Sequence, residues 1–72
     1  MADIEQELKF VGARIKALRQ DRNITQKELA ARLGISHTNM CNIENGKTAA
    51  TLQNLLKLRY ILNCDMAAFL WI

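Results

Sequence analysis

Residues 25–46, TQKELAARLGISHTNMCNIENG, decide how the rest of the chain is read. Thr25 followed by Glu28 is a capping box, in which hydroxyl and carboxylate each satisfy a backbone N–H at a helix start. Leu29, Ala30 and Leu33 then recur at helical spacing and give this helix one buried face. Gly34 ends it, since glycine enters the left-handed conformation without the Cβ penalty. Ser36 offers a second N-cap. Met40 and Ile43 form the inward stripe of a second short helix, which stops at Asn45-Gly46. Helices crossing steeply over so short a turn come close together, and Ala30 is small where a larger side chain would push them apart.

This arrangement resembles the helix-turn-helix of the phage repressor and Cro family, the Xre-like DNA-binding regulators. The residues that carry the resemblance are Thr25-Gln26, Glu28-Leu29-Ala30, Leu33-Gly34-Ile35-Ser36 and Ile43-Glu44-Asn45-Gly46, and the likeness runs over about residues 11–70. It implies an all-α fold, a compact five-helix bundle with helices 2 and 3 as the motif.

Composition agrees without deciding. The 72 residues make one small domain, 1–72, with half its residues apolar. That is enough for a core and too much for disorder. No apolar run is long enough to span a bilayer and no leader segment is evident, so a cytoplasmic protein without membrane attachment is expected. Cys41 and Cys64 form no spaced motif and read as reduced thiols. The net charge of +3 and pI near 9.2 mildly favour an anionic partner.

Around the motif, the spacing predicts three further helices. Asp3, with Gln6 returning the bond, caps a first helix. Its stripe, Ile4, Leu8, Val11, Ile15 and Leu18, runs to about Arg22, with Asn23 as a left-handed stop. The family's first helix begins near Val11, so residues 1–9 are an extension of a core spanning 10–70. Ile4, Leu8 and Phe10 there are either extra core or a subunit contact. Thr51 caps a fourth helix in which Leu52, Leu55, Leu56, Leu58, Ile61 and Leu62 occupy nearly every face, which predicts a helix at the centre of the core. Asn63 ends it. Asp65 caps a short last helix with Phe69 and Leu70 inward. Residues 67–72 can instead pair as an exchanged strand, and Trp71 and Ile72 are the expected dimer contact.

On the second motif helix, taken as residues 36–45, the positions facing away from Met40 and Ile43 are His37, Thr38, Cys41 and Asn42. These are the candidate base contacts. Asn42 suits adenine, the Thr38 methyl suits thymine, and His37 can donate to guanine or phosphate. Gln26 and Ser36 at helix starts, together with Asn39, Asn45 and Lys47, are the candidate phosphate contacts. The resemblance also pairs Arg19 with Glu44 as a structural ion pair. The family often carries a basic residue after this loop, where Ala49 and Ala50 stand here. That difference predicts fewer backbone contacts.

The implied function is a sequence-specific double-stranded DNA-binding regulator, a repressor acting as a homodimer on a palindromic operator. An alternative is an antitoxin that binds a toxin protein and represses its own operon, since TAATLQNLLKL and the apolar tail resemble Hip-type antitoxins. A restriction–modification controller is a third reading. Other classes find little support. His37 and Cys41 have i, i+4 ligand spacing, but zinc needs two further ligands and no second His or Cys pair exists, so no metal is expected. One histidine, no glycine-rich phosphate loop and no triad argue against an enzyme, a cofactor or a small-molecule ligand.

Overall fold

A computed structural model describes residues 3–70, with only the backbone of Leu70. The chain folds as α1 (Ile4–Asp21), α2 (Gln26–Leu33), α3 (His37–Glu44), α4 (Leu52–Ile61) and α5 (Ala67–Leu70). Among the described residues every regular element is helical.

The four longer helices start and stop by the same chemistry. Asp3, Thr25, Ser36 and Thr51 stand at extended backbone and accept a backbone N–H from the first turn, of Glu5, Glu28, Asn39 and Asn54 respectively. Glu28 completes the capping box by accepting from the Thr25 N–H at 3.1 Å. At the start of α1 the side-chain bond runs from the Glu5 N–H to Asp3 at 3.0 Å, and Gln6 is exposed. Each helix ends on a left-handed residue: Asn23 (φ 57°), Gly34 (74°), Gly46 (74°) and Asn63 (51°). The residue after each stop donates back to a carbonyl five positions earlier: Ile24 to Arg19, Ile35 to Ala30, Lys47 to Asn42, Cys64 to Arg59. This is the Schellman closure, which satisfies carbonyls that a helix end leaves orphaned. Ile24, Ile35 and Cys64 are partly buried there and Lys47 is exposed.

Ile15, Leu29, Ala30, Leu33, Met40, Ile43, Leu58, Leu62 and Phe69 form the buried core. Packing joins α2 to α3 and α4, and α1 to α3 and α5. Burying each large side chain contributes roughly 1.5–3 kcal/mol before entropy is counted. Two arginines tie distant segments by their Nε donors: Arg14 to the Ala68 carbonyl at 2.8 Å, and Arg22 to the Leu62 carbonyl. The second places a cation at the C-terminal end of α4, where the helix dipole favours it.

The structure corrects the expected place of α4. Leu58 is its fully buried residue, whereas Leu52 is 67% exposed, Leu56 40% and Tyr60 78%. Four leucines in one ten-residue helix exceed what so small a core can cover, and α4 lies on the flank with an apolar row outward. Ile4 is likewise exposed, while Leu8 and Val11 line a shallow groove with Ala49, Ala50 and Leu55. The tail is helical over Ala67–Leu70, with Phe69 fully buried, so in the single chain those four residues take the helix and not the strand that is the other expectation. Trp71 and Ile72 lie outside the described residues.

Candidate nucleic-acid interface

Helix α3 is held from one side. Met40 and Ile43 are buried in the core, and the end of the helix rests on the backbone of α1. A Cβ on Gly12 would lie 2.4 Å from the Ile43 carbonyl oxygen and 2.6 Å from that of Glu44. A Cβ on Gly46 would meet the Lys9 Cα at 2.6 Å. Two glycines, one on each partner, thus let α1 and the end of α3 approach backbone to backbone. Sequence reasoning gave Gly12 no role. The available signal was a glycine inside an otherwise strong helical stripe, which costs about 1 kcal/mol and so points to a packing need.

Beneath the outer surface Arg19 and Glu44 form a buried ion pair, 8% and 5% exposed. Arg19 Nε donates to Glu44 Oε2 at 2.8 Å and Nη2 to Oε1 at 3.2 Å, the two-pronged geometry that suits a guanidinium to a carboxylate. Nη1 donates to the Ile24 carbonyl at 2.8 Å. Gln26 Nε2 donates to Glu44 Oε1 at 3.0 Å, and His37 Nε2 lies 2.9 Å from Gln26 Oε1. Every buried side-chain polar atom among the described residues has a partner. Gln26, expected at a phosphate, is therefore also bonded inward to Glu44.

The candidate contact residues share the outer side of the motif. His37, Thr38 and Asn39 are exposed, while Cys41 and Asn42 are half-buried. Ser36 spends its hydroxyl oxygen on the Asn39 N–H at 3.0 Å and remains exposed. Asn45 donates its amide to the Cys41 sulfur at 3.4 Å, so these two candidates touch each other. Lys47 is exposed just beyond the helix end. Bonds from the Thr25 backbone and hydroxyl hold the Glu28 carboxyl below the usual carboxylate range. Burial pushes the Cys64 thiol up, against the opposing effect of Arg22, and a thiol held protonated is a poor nucleophile. Among the described residues no cluster of three His, Cys, Asp or Glu could hold a metal, and no helix is long and apolar enough to cross a membrane.

Comparison with known proteins places this geometry. A family model described as helix-turn-helix matches residues 15–69. The ImmF control region 10 kDa protein of Bacillus phage phi105 is 34% identical over 58 residues, covering 81% of this chain and 64% of its own length. The chain thus spans a little under two thirds of that relative. The crystal structure of the restriction-modification controller protein C.AhdI from Aeromonas hydrophila superposes with a TM-score of 0.81 at 26% identity, over 89% of this chain and 97% of that one. The clp gene regulator ClgR from Corynebacterium glutamicum shares the fold, with a TM-score of 0.83 at 23% identity over 89% of this chain and 68% of its own. Matched by the family model over most of its length, the chain belongs to the helix-turn-helix family of Xre-like DNA-binding transcription regulators, which are not enzymes.

Proposed function

We propose that the chain is a cytoplasmic repressor that binds a palindromic double-stranded operator as a homodimer, with residues 36–45 in the major groove. The observation that carries this reading is the sidedness of α3. Met40, Ile43 and Glu44 face the protein, and His37, Thr38, Cys41 and Asn42 line the free edge. Asn42 suits a two-bond contact to adenine and Thr38 a methyl contact to thymine. Lys47 adds support. At the matching position after the other three long helices stands a partly buried Ile24, Ile35 or Cys64, and here a lysine is left exposed. A packing rule set aside at one place marks a functional position, in this case a phosphate contact.

Selection from random duplex DNA at stated salt tests the reading. Asn42→Ala should lose about 1–3 kcal/mol and relax one base position. Lys47→Ala should weaken all sequences alike and lower the salt slope by about 1. Should Asn42→Ala leave both the affinity and the selected sequence unchanged, the groove assignment fails.

The dimer follows from reach. Eight helical residues rise about 12 Å, which covers one half-site, and a second copy about 34 Å away completes the address. Leu52, Leu56 and Tyr60, four apart along α4, form an exposed apolar row suited to self-contact. Leu56→Glu should shift the mass of the purified protein toward monomer as measured against concentration. Equal masses for variant and wild type at high concentration would exclude α4 as the contact. The relatives, a phage control-region protein and a restriction–modification controller, favour a regulator over a toxin-binding antitoxin.

A further inference from the structure

Arg19, Glu44, Gln26 and His37 make a continuous hydrogen-bonded chain from the core to the outer edge of α3. Its direction follows from charge. Glu44 is buried against the Arg19 guanidinium, which donates to both of its oxygens, so the carboxylate has only acceptor oxygens to offer Gln26. Gln26 must then turn its amide Nε2 toward Glu44 and its Oε1 away. That oxygen, itself only an acceptor, meets His37 Nε2 at 2.9 Å. The His37 proton is therefore drawn to Nε2, and Nδ1 of the neutral ring keeps its lone pair.

We propose that this relay makes His37 a one-way reader: Nδ1 accepts from the exocyclic amine of the adenine or cytosine in the pair it meets, and does not donate to the guanine or thymine opposite. In the major groove adenine and cytosine present an amine donor, whereas guanine and thymine present acceptors and a methyl. The inference rests on the reading of α3 as the groove helix. It replaces the expectation that His37 donates to guanine. Gln26 becomes a positioning residue for specificity, and Glu44 reaches the base edge through it.

Two measurements at about pH 8, above the ordinary histidine range, test the relay separately from DNA binding. In the free protein, ¹⁵N imidazole resonances should show Nε2 protonated and Nδ1 bare, and Gln26→Ala should give a mixture of both tautomers. A proton on Nδ1, or the same mixture in wild type and variant, overturns the relay whether or not DNA is bound. In duplex selection, His37→Ala should erase the preference at one base pair, and the exocyclic amine of that pair stands on its adenine or its cytosine. Replacing that base by its analogue lacking the exocyclic amine should weaken binding about tenfold. If adenine is selected, 7-deazaadenine, which keeps the amine and loses N7, should bind as adenine does. Undiminished binding when that pair lacks its exocyclic amine overturns the proposal. Absence of binding to any duplex overturns the groove reading and the base preference with it, while the tautomer result stands on its own.

Discussion

Glu44→Ala is expected to lower the melting temperature by more than about 12 °C. Removing one member of a buried ion pair strands the other charge at a cost of about 3–5 kcal/mol. Each kcal/mol moves the midpoint of a domain this small by roughly 4–8 °C. Arg19 would keep only its bond to the Ile24 carbonyl, and Gln26 would lose the partner that orients it. Small domains have little stability in reserve, so a large part of the population should be unfolded at growth temperature. The double variant Arg19→Met/Glu44→Leu should recover part of the loss, because a buried pair replaced by apolar groups no longer strands a charge. Circular dichroism melts of the three proteins decide the matter. A single variant within a degree or two of wild type would show that the pair contributes nothing.

Gly12→Ala is expected to destabilise the fold and to weaken DNA binding where the protein is still folded. Two effects oppose each other. Alanine is the better helix former by about 1 kcal/mol. Against this, the new methyl carbon would sit 2.4 Å and 2.6 Å from two backbone carbonyl oxygens of α3. Backbone at the end of a packed helix cannot rotate aside as a side chain can, so α1 must lift away from α3. Overpacking of this kind costs about 1–3 kcal/mol or more, which outweighs the gain in propensity. Because the displaced partner is α3, the proposed groove helix, affinity for the selected operator should fall at temperatures well below the melt. Gly34→Ala is the contrast. Nothing lies within 4 Å of its missing Cβ, and its penalty comes from the left-handed backbone alone. Denaturation midpoints and operator titrations on both variants separate the two causes. A Gly12→Ala protein as stable as wild type would refute the close approach.

The ends of the helices were legible in the sequence because their causes are local. Thr25 with Glu28, Ser36, Thr51, and the left-handed Asn23, Gly34, Gly46 and Asn63 each act within a few residues of themselves. The outward edge of α3 was legible for the same reason, since Met40 and Ile43 fix which side is inward. What failed needed long-range knowledge. The leucines of α4 are alike in composition, and only the limited size of the core determines that Leu58 is covered and Leu52 is not. Gly12 takes its meaning from Ile43 and Glu44, some thirty positions away in the chain. The inward bonds of Gln26 were hidden for a like reason. Its position at a helix start pointed to phosphate, and nothing in the adjacent residues points to Glu44.

The one-sided seating of α3 bears on how such a protein changes its target. Foldedness depends on Met40, Ile43, Glu44 and the two glycine contacts, none of which lies on the free edge. Thr38 and Asn42 can therefore be exchanged with little penalty in stability, whereas His37 is coupled to the interior and is slower to vary. On the proposed reading of α3, descendants of this chain should acquire new binding sequences by a few codon changes at the outer positions while the seating of the helix on the core stays fixed.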